Sequence, residues 1–326
     1  MDVRTLGHSG LEVTTIALGT MMFGAWGNTD ADECHRMVHV AIDAGITLID
    51  CADMYDNGVS EEILGVALRG HREQVVLATK CGNPMGADMS RSGLSAAWVA
   101  QACDDSLRRL GVENIDLYQM HRPDPSTPVE ETLGAFQGLI AAGKIGAYGT
   151  STFSAAQIKA VHDAATALGM QLPTSEQPPY SALARGIETE VLPACRANDL
   201  GVIVWAPLNG GWLTGKYQDG TSDIASRATR QGEHFDARDA AEWNAKYDAV
   251  EALTTIATDA GLTLKQLALG FILDDPTITS AIIGPRTLPQ LEDLLAAGAP
   301  ALPAGVRAAI DAVINPGLNI NPRDAG

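Results

Sequence analysis

Four residues capable of acid–base chemistry lie just after apolar runs in the first half of the sequence. Asp50 and Tyr55 sit in LIDCADMYDNGVSEEILG, Lys80 in ATKCG and His121 in YQMHRPDP. A carboxylate, a phenol, an ammonium and an imidazole brought to one point suit the reduction of a carbonyl. That reaction needs a hydride on the carbon and a proton delivered to the oxygen that becomes negative. Tyr55 can supply the proton. A free phenol titrates near ~10, too high for efficient exchange near neutrality, and a neighbouring Lys80 ammonium would favour the phenolate and lower that value. Asp50 would keep Lys80 charged and oriented, and His121 would donate a hydrogen bond to the carbonyl oxygen. An aldolase or isomerase working through Lys80 as a Schiff base would need an unpaired, desolvated amine, and Asp50 argues against it. Taken singly, each residue also fits an ordinary cap, a packed tyrosine or a barrel-end salt bridge. Their order at successive strand ends gives the catalytic reading its weight.

The elements that must position these groups alternate along the chain. VRTLGHSGLEVTT reads as a β-hairpin around GHSG. After it, eight strand-like runs (IALGT, ITLID, VVLATK, IDLYQMH, IGAYGTS, TSEQPP, GVIVWAP and TSAIIGP) each lead into a helical stretch. Apolar positions in the helical stretches recur three and four apart, as in Val99, Ala102, Cys103, Ser106, Leu107 and Leu110, which gives a helix one buried face. Several helices should end at glycine, at Gly45, Gly70, Gly111, Gly143 and Gly169, where a left-handed cap costs least. A doubly wound sheet is the alternative, but eight strand–helix units with no break in composition suit a (β/α)8 barrel better. A single barrel domain over residues 1–326 is therefore expected, its N-terminal hairpin closing the bottom. In such a barrel the functional end is the C-terminal edge of the strands. Asp50, Lys80, His121, Ser151 with Thr152, Glu176 with Gln177, and Trp205 all fall there.

Composition narrows the function. The chain has 40 acidic and 22 basic residues, a net charge of −18, which argues against a nucleic-acid partner. Five scattered cysteines without a C-x-x-C pair argue against a disulfide framework or a zinc cluster. No apolar stretch approaches membrane-span length, and MDVRTLGHSG has no signal-like core. A cytoplasmic protein without a membrane or metal partner is expected.

At Asp50, Tyr55, Lys80 and His121 the sequence resembles the aldo-keto reductases, matching that family's tetrad in identity and order. SLRRLGVENIDLYQMHRPDP, GKIGAYGTSTFS, WAPLNGGWLTGKY and SAIIGPRTLPQLED extend the resemblance over nearly the whole chain. It implies a nicotinamide cofactor. Ser151 and Gln177 match the positions that bind the nicotinamide carboxamide, with Thr152 where the family commonly has Asn. Trp205 stands for the aromatic that stacks on the nicotinamide ring. The stretch LNGGWLTGKYQ also contains Gly210, Gly215 and Lys216 in a G-x-x-x-x-G-K spacing. A magnesium-nucleotide loop needs Ser or Thr next, and Tyr217 stands there. By resemblance, Pro207, Leu208, Gly210, Gly211 and Lys216 instead lie against the dinucleotide pyrophosphate. Gly284, Arg286 and Gln290 match the family's stretch for the adenosine end, with Arg286 and Gln290 holding a 2′-phosphate and so favouring NADPH. Leu294 replaces an Asn that often contacts the adenine, and Asp293 is its expected substitute. No G-x-G-x-x-G follows a strand, so a doubly wound dinucleotide domain is not supported.

The resemblance thus implies an NADPH-dependent, monomeric reductase of a small carbonyl substrate: an aldehyde, a larger ketone or a sugar-type compound. The alternative it carries is a cofactor-binding redox sensor like the β subunits of potassium channels. Met22, Phe23, Trp26, Trp98 and Trp212 are candidates for an apolar substrate wall, although Trp98 sits on a helical stripe. Residues 217–238 are a candidate lid, and the C-terminal INPGLNINPRDAG another mouth segment.

Overall fold

The computed structural model of the chain describes residues 1–217 and 241–326. An antiparallel hairpin of β1 (Val3–Thr5) and β2 (Glu12–Thr14) precedes eight parallel strands. These are β3 (Ile16–Gly19), β4 (Leu48–Asp50), β5 (Val76–Cys81), β6 (Ile115–Met120), β7 (Ile145–Ser151), β8 (Ser175–Gln177), β9 (Gly201–Val204) and β10 (Ile278–Ile283). They close into a barrel in sequence order, with β10 returning to pair with β3. Helices α1 (Ala31–Asp43), α2 (Val59–Ala67), α3 (Ala96–Leu110), α4 (Val129–Ala141), α5 (Ala155–Leu168) and α6 (Val191–Ala197) cross between successive strands. Helices α7 (Ala241–Asp259) and α8 (Leu264–Leu273) lead into β10, and α9 (Leu288–Ala297) and α10 (Val306–Val313) follow it. The expected (β/α)8 barrel with an N-terminal hairpin is the fold observed.

Local chemistry sets the helix ends. Ser154 and Thr263 open α5 and α8 with reciprocal capping boxes to Gln157 and Gln266, which satisfy two otherwise orphaned backbone donors each. Gly111 and Gly169 close α3 and α5 in the left-handed conformation expected of them. On α3 the residues Val99, Ala102, Cys103, Ser106 and Leu110 are buried, and so is Trp98.

The hairpin plugs the barrel at the N-terminal ends of its strands. Leu6 and Val13 pack with Ala17, Leu48, Ala78, Leu117, Ala147, Ile203 and Ile282 in the barrel interior. The contact is close: a Cβ on Gly7, whose φ is +52°, would fall 2.5 Å from the Thr174 carbonyl oxygen and 2.7 Å from the Gly201 nitrogen.

That interior layer fixes which residues reach the mouth. Side chains on a strand alternate between faces, so a residue two or four positions beyond an inward one also points inward. From Leu48 the step leads to Asp50, from Ala78 to Lys80, from Leu117 to Gln119 and on to His121. From Ala147 it leads to Gly149 and Ser151, and from Ile203 to Trp205. The hydrophobic floor and the polar mouth are one pattern read at successive heights.

Behind the mouth lies a buried ionic cluster. Arg109 of α3 pairs with Glu61 of α2 at 2.7 Å, and Thr79 of β5 donates to the same carboxylate at 2.7 Å. Asp53 is buried beside them, and neither of its carboxyl oxygens has a hydrogen-bond partner. Burial first, and then Glu61, push its pKa up to about 8. An unfolded Asp titrates near ~3.9, so between about pH 4 and about pH 8 the folded state holds a proton that the unfolded state has lost, and stability falls as pH rises. Asp53→Asn, neutral at every pH, is expected to flatten this part of the melting-temperature profile and to be more stable than the parent above pH ~8. Parallel thermal-unfolding curves for the two proteins across that range would refute the assignment.

Candidate active site

Three of the four tetrad residues are joined by hydrogen bonds. Lys80, fully buried, donates from Nζ to Asp50 Oδ1 at 2.5 Å, to the Cys51 carbonyl oxygen at 2.8 Å and to Tyr55 Oη at 3.2 Å. The second Asp50 oxygen accepts from Gln177 Nε2 at 2.8 Å and from Gln119 Nε2 at 3.3 Å. Tyr55 comes from the turn Tyr55–Gly58, where Asp56 and Asn57 take left-handed backbone angles before α2 begins. Its ring meets His121 edge-on, the centroids 5.9 Å apart.

The electrostatics assign protonation states. Burial works against the Lys80 ammonium, but Asp50 and then Tyr55 outweigh it and hold the pKa above the ordinary lysine range. Lys80 is therefore a fixed cation and not a free nucleophile. His121 is held well below the usual imidazole range, by burial and then by the Lys80 and Arg122 charges, so it is neutral. The sequence led us to expect a lowered pKa for Tyr55, but here it is raised. Burial disfavours the phenolate more than Lys80 favours it. The phenol stays a proton donor, and the ammonium is positioned to stabilise the anion formed once the proton leaves.

Asp50, Tyr55 and His121 line a cavity of about 650 Å³. Lys80 lies beneath it, behind Tyr55. Ser151, Gln177, Trp205, Pro207, Leu208, Gly210, Gly211, Lys216, Gly284, Arg286, Gln290 and Asp293 line the same cavity. Gly210 and Gly211 take φ of 65° and 102° in the Asn209–Thr214 turn, and a Cβ on Gly211 would strike Lys216 Nζ at 2.6 Å. Gln290 Oε1 accepts from the Arg286 N–H at 2.9 Å, and Asn28 donates to the Arg286 carbonyl oxygen at 2.9 Å. Glu33 of α1 accepts from both Asn28 and the Leu288 N–H, at 3.0 and 2.9 Å. The Arg286–Leu288 segment is thereby fastened to α1.

Some residues stand elsewhere than expected. Thr152 does not line the cavity. Its φ is +58° and its hydroxyl accepts from Arg122. It is one residue out of step with the inward face that ends at Ser151. Asp293 lines the cavity but is engaged by Lys265, so its carboxylate is not a free substitute for the missing Asn. The Gln177 side-chain N–H groups are turned to Asp50 and to Gln119 Oε1, so its amide donors are already engaged. Met22 and Trp26 line the cavity, whereas Phe23, Trp98 and Trp212 belong to the hydrophobic core. Tyr217, where a magnesium loop would need a small hydroxyl, is itself a core residue. The rest of the 217–238 segment lies outside the described residues. The C-terminal segment does reach the mouth: Asp324 accepts from Asn209 Nδ2 at 3.1 Å and pairs with the buried Lys246 at 2.6 Å.

Several lining residues were missed from the sequence, among them Met54, Arg122 and Lys265. Gln119, beside Asp50, was missed too, although it lies two residues before His121 on the same strand face. Arg122 offered the signal of direct adjacency to His121. Lys265, on a helix remote in sequence, offered none.

The Aldo/keto reductase family model matches residues 15–315. The chain belongs to the aldo/keto reductase family. Among its relatives, the uncharacterized oxidoreductase YrpG of Bacillus subtilis is 36% identical over 309 residues, covering 91% of each chain. Aldo-keto reductase YhdN of the same organism is 35% identical, with 90% of this chain and 88% of that protein covered. A putative voltage-gated potassium channel subunit beta of Schizosaccharomyces pombe is 35% identical, with 86% and 83% covered. Membership of the aldo/keto reductases implies oxidoreductase activity, and members of the family generally use nicotinamide cofactors. The cavity fits such a group. Its lining brings together aromatic and acid–base side chains, glycine backbone and the cations of Lys216, Lys265 and Arg286. Among the described residues no single helix is long and apolar enough to cross a membrane.

Proposed function

We propose that this chain reduces an aldehyde or ketone to the alcohol with NADPH. The observation that carries the reading is the continuous Asp50–Lys80–Tyr55 chain, with contacts of 2.5 and 3.2 Å, ending beside a neutral His121 in the cavity wall. The cofactor supplies the hydride, and the protein must supply everything else. Tyr55 gives its phenolic proton to the carbonyl oxygen. Lys80 stabilises the phenolate left behind, and Asp50, steadied by Gln119 and Gln177, keeps the ammonium aimed at it. A neutral imidazole keeps an N–H to donate, so His121 fixes the oxygen without adding a competing charge. Trp205 forms the wall for the nicotinamide, Gly210, Gly211 and Lys216 the bed for the pyrophosphate, and Arg286 with Gln290 the grip on the 2′-phosphate. Arginine suits this because its planar donors match phosphate oxygens two at a time. Five buried free cysteines suit a reducing compartment; we place the enzyme in the cytoplasm as a monomer.

Titration of NADPH into the protein is expected to quench tryptophan fluorescence saturably at micromolar concentration. Arg286→Ala should weaken NADPH binding by roughly tenfold while changing NADH binding far less. No quenching by either nucleotide would remove the cofactor assignment and the catalytic roles with it. Equal losses for the two nucleotides would remove the 2′-phosphate role alone.

A second reading follows from the relatives named as potassium channel subunits, 35% identical in Schizosaccharomyces pombe and 36% in Arabidopsis thaliana. In that case cofactor occupancy would be a signal to a partner. Many turnovers per site with an excess of aldehyde mark an enzyme, and a single slow oxidation of bound NADPH marks a sensor.

A further inference from the structure

Arg122 follows His121 directly and lies where two cavities meet. It lines the main cavity and also a second, largely polar one of about 470 Å³ that includes Gly82, Ser92 and Thr127. Asn83 is the other residue common to both. The guanidinium is held in place without being neutralised. One Nη donates to Thr152 Oγ1 and, at a long 3.4 Å, to the His121 carbonyl oxygen, while the group lies 5.8 Å from the centroid of the Trp205 ring.

Three other enclosed arginines have acidic partners, while half-buried Arg4 is met by the Leu273 and Ile278 carbonyl oxygens instead. Arg72 pairs with Asp116 at 2.8 Å, Arg109 with Glu61 at 2.7 Å and Arg185 with Glu188 at 2.9 Å. Arg122 has no carboxylate within ion-pair distance among the described residues, in a chain that carries 40 of them. The nearest in sequence, Asp124, is turned away. It accepts from the Leu94 and Ser126 backbone N–H groups and from the Ser126 and Thr127 hydroxyls. The buried Glu176 carboxylate acts on Arg122 from beyond ion-pair distance, and its oxygens accept from the Thr150 hydroxyl and the Phe153 N–H. A desolvated guanidinium without a direct counter-charge is costly, and its fork of five N–H donors is here mostly unused. A ligand oxyanion would satisfy both.

We infer that Arg122, with Asn83 beside it, anchors an anionic group, a carboxylate or a phosphate, carried by the substrate a few bonds from its reducible carbonyl. The inference rests on the carbonyl-reduction reading and names its substrate class. The phosphates of the cofactor are already assigned to Lys216 and Arg286, so the anion at Arg122 is read as the substrate's. Arg122 is then a specificity residue. The local positive charge also draws anionic substrates to the mouth of an otherwise acidic protein.

Two matched pairs of probes test this: 4-oxobutanoate against butanal, and glyceraldehyde 3-phosphate against glyceraldehyde. The wild type is expected to favour the anionic member of at least one pair in kcat/KM, and that pair identifies the group. Arg122→Gln should lose roughly 10- to 100-fold more on the anionic member than on the uncharged one, mainly through KM. NADPH affinity, read by fluorescence, should change far less. Equal losses on both members, no anionic preference in the wild type, or a loss confined to NADPH affinity would each overturn the proposal. Calorimetric titration of succinate and of inorganic phosphate into the NADP-loaded protein gives a readout independent of turnover. Binding of one of them by the wild type and of neither by Arg122→Gln supports the anchor, and binding of neither by the wild type overturns it. If the anion binds while none of the four carbonyl compounds is reduced, the carbonyl-reduction reading fails and the anion site stands.

Discussion

Replacing Tyr55 with phenylalanine is expected to lower kcat for carbonyl reduction by on the order of 10²- to 10⁴-fold, the range that a positioned general acid contributes. The change removes one oxygen. The ring that faces His121 at 5.9 Å and Trp26 at 6.2 Å remains, and Lys80 keeps its bonds to Asp50 and to the Cys51 carbonyl oxygen. The fold and the nucleotide cavity should therefore survive. NADPH titration by fluorescence, beside kcat at saturating nucleotide, separates lost chemistry from lost binding. A variant that keeps kcat within about tenfold of the parent would show that the proton comes from elsewhere, His121 or water being the candidates.

The second large effect concerns stability as much as rate. Lys80→Met fills much of the same volume but strands the Asp50 carboxylate, which is only 3% exposed. Its remaining side-chain donors are the neutral amides of Gln119 and Gln177. Breaking a buried pair from one side costs about 3–5 kcal/mol, because an uncompensated charge is left in a poorly polarisable surrounding. Activity should fall as well, since the developing phenolate loses its cation. The double variant Lys80→Met/Asp50→Asn should recover most of the stability and little of the activity. Denaturant unfolding and kcat measured on the two singles and the double form a cycle that separates the two effects. A Lys80→Met protein as stable as the parent would show that water or a shifted proton already relieves Asp50.

The number and order of the barrel strands were legible in the sequence. Each is a short apolar run bounded by turn residues, and each amphipathic stretch between them repeats at helical spacing. Asp50, Lys80, His121, Ser151 and Trp205 could be placed at one mouth because strand ends are set by local sequence and parallel strands put all those ends on one side. Tyr55, a few residues after Asp50, followed from its turn and from family resemblance. What the sequence could not supply was the sense of each balance. The Tyr55 pKa depends on burial weighed against one ammonium, and burial is a property of the closed barrel. Thr152 looked like part of the mouth because it adjoins Ser151, but one residue of register turns its hydroxyl to Arg122. Lys265 meets Asp293 from another helix, 28 positions away in sequence, and no local pattern announces that. The sequence by itself determined the barrel and the identity of its acid–base groups, since periodicity and residue type are local. Tertiary structure alone decided which of those groups keep their protons, which cations stay paired and that Arg122 does not, because desolvation and charge pairing arise only when distant segments exclude water together.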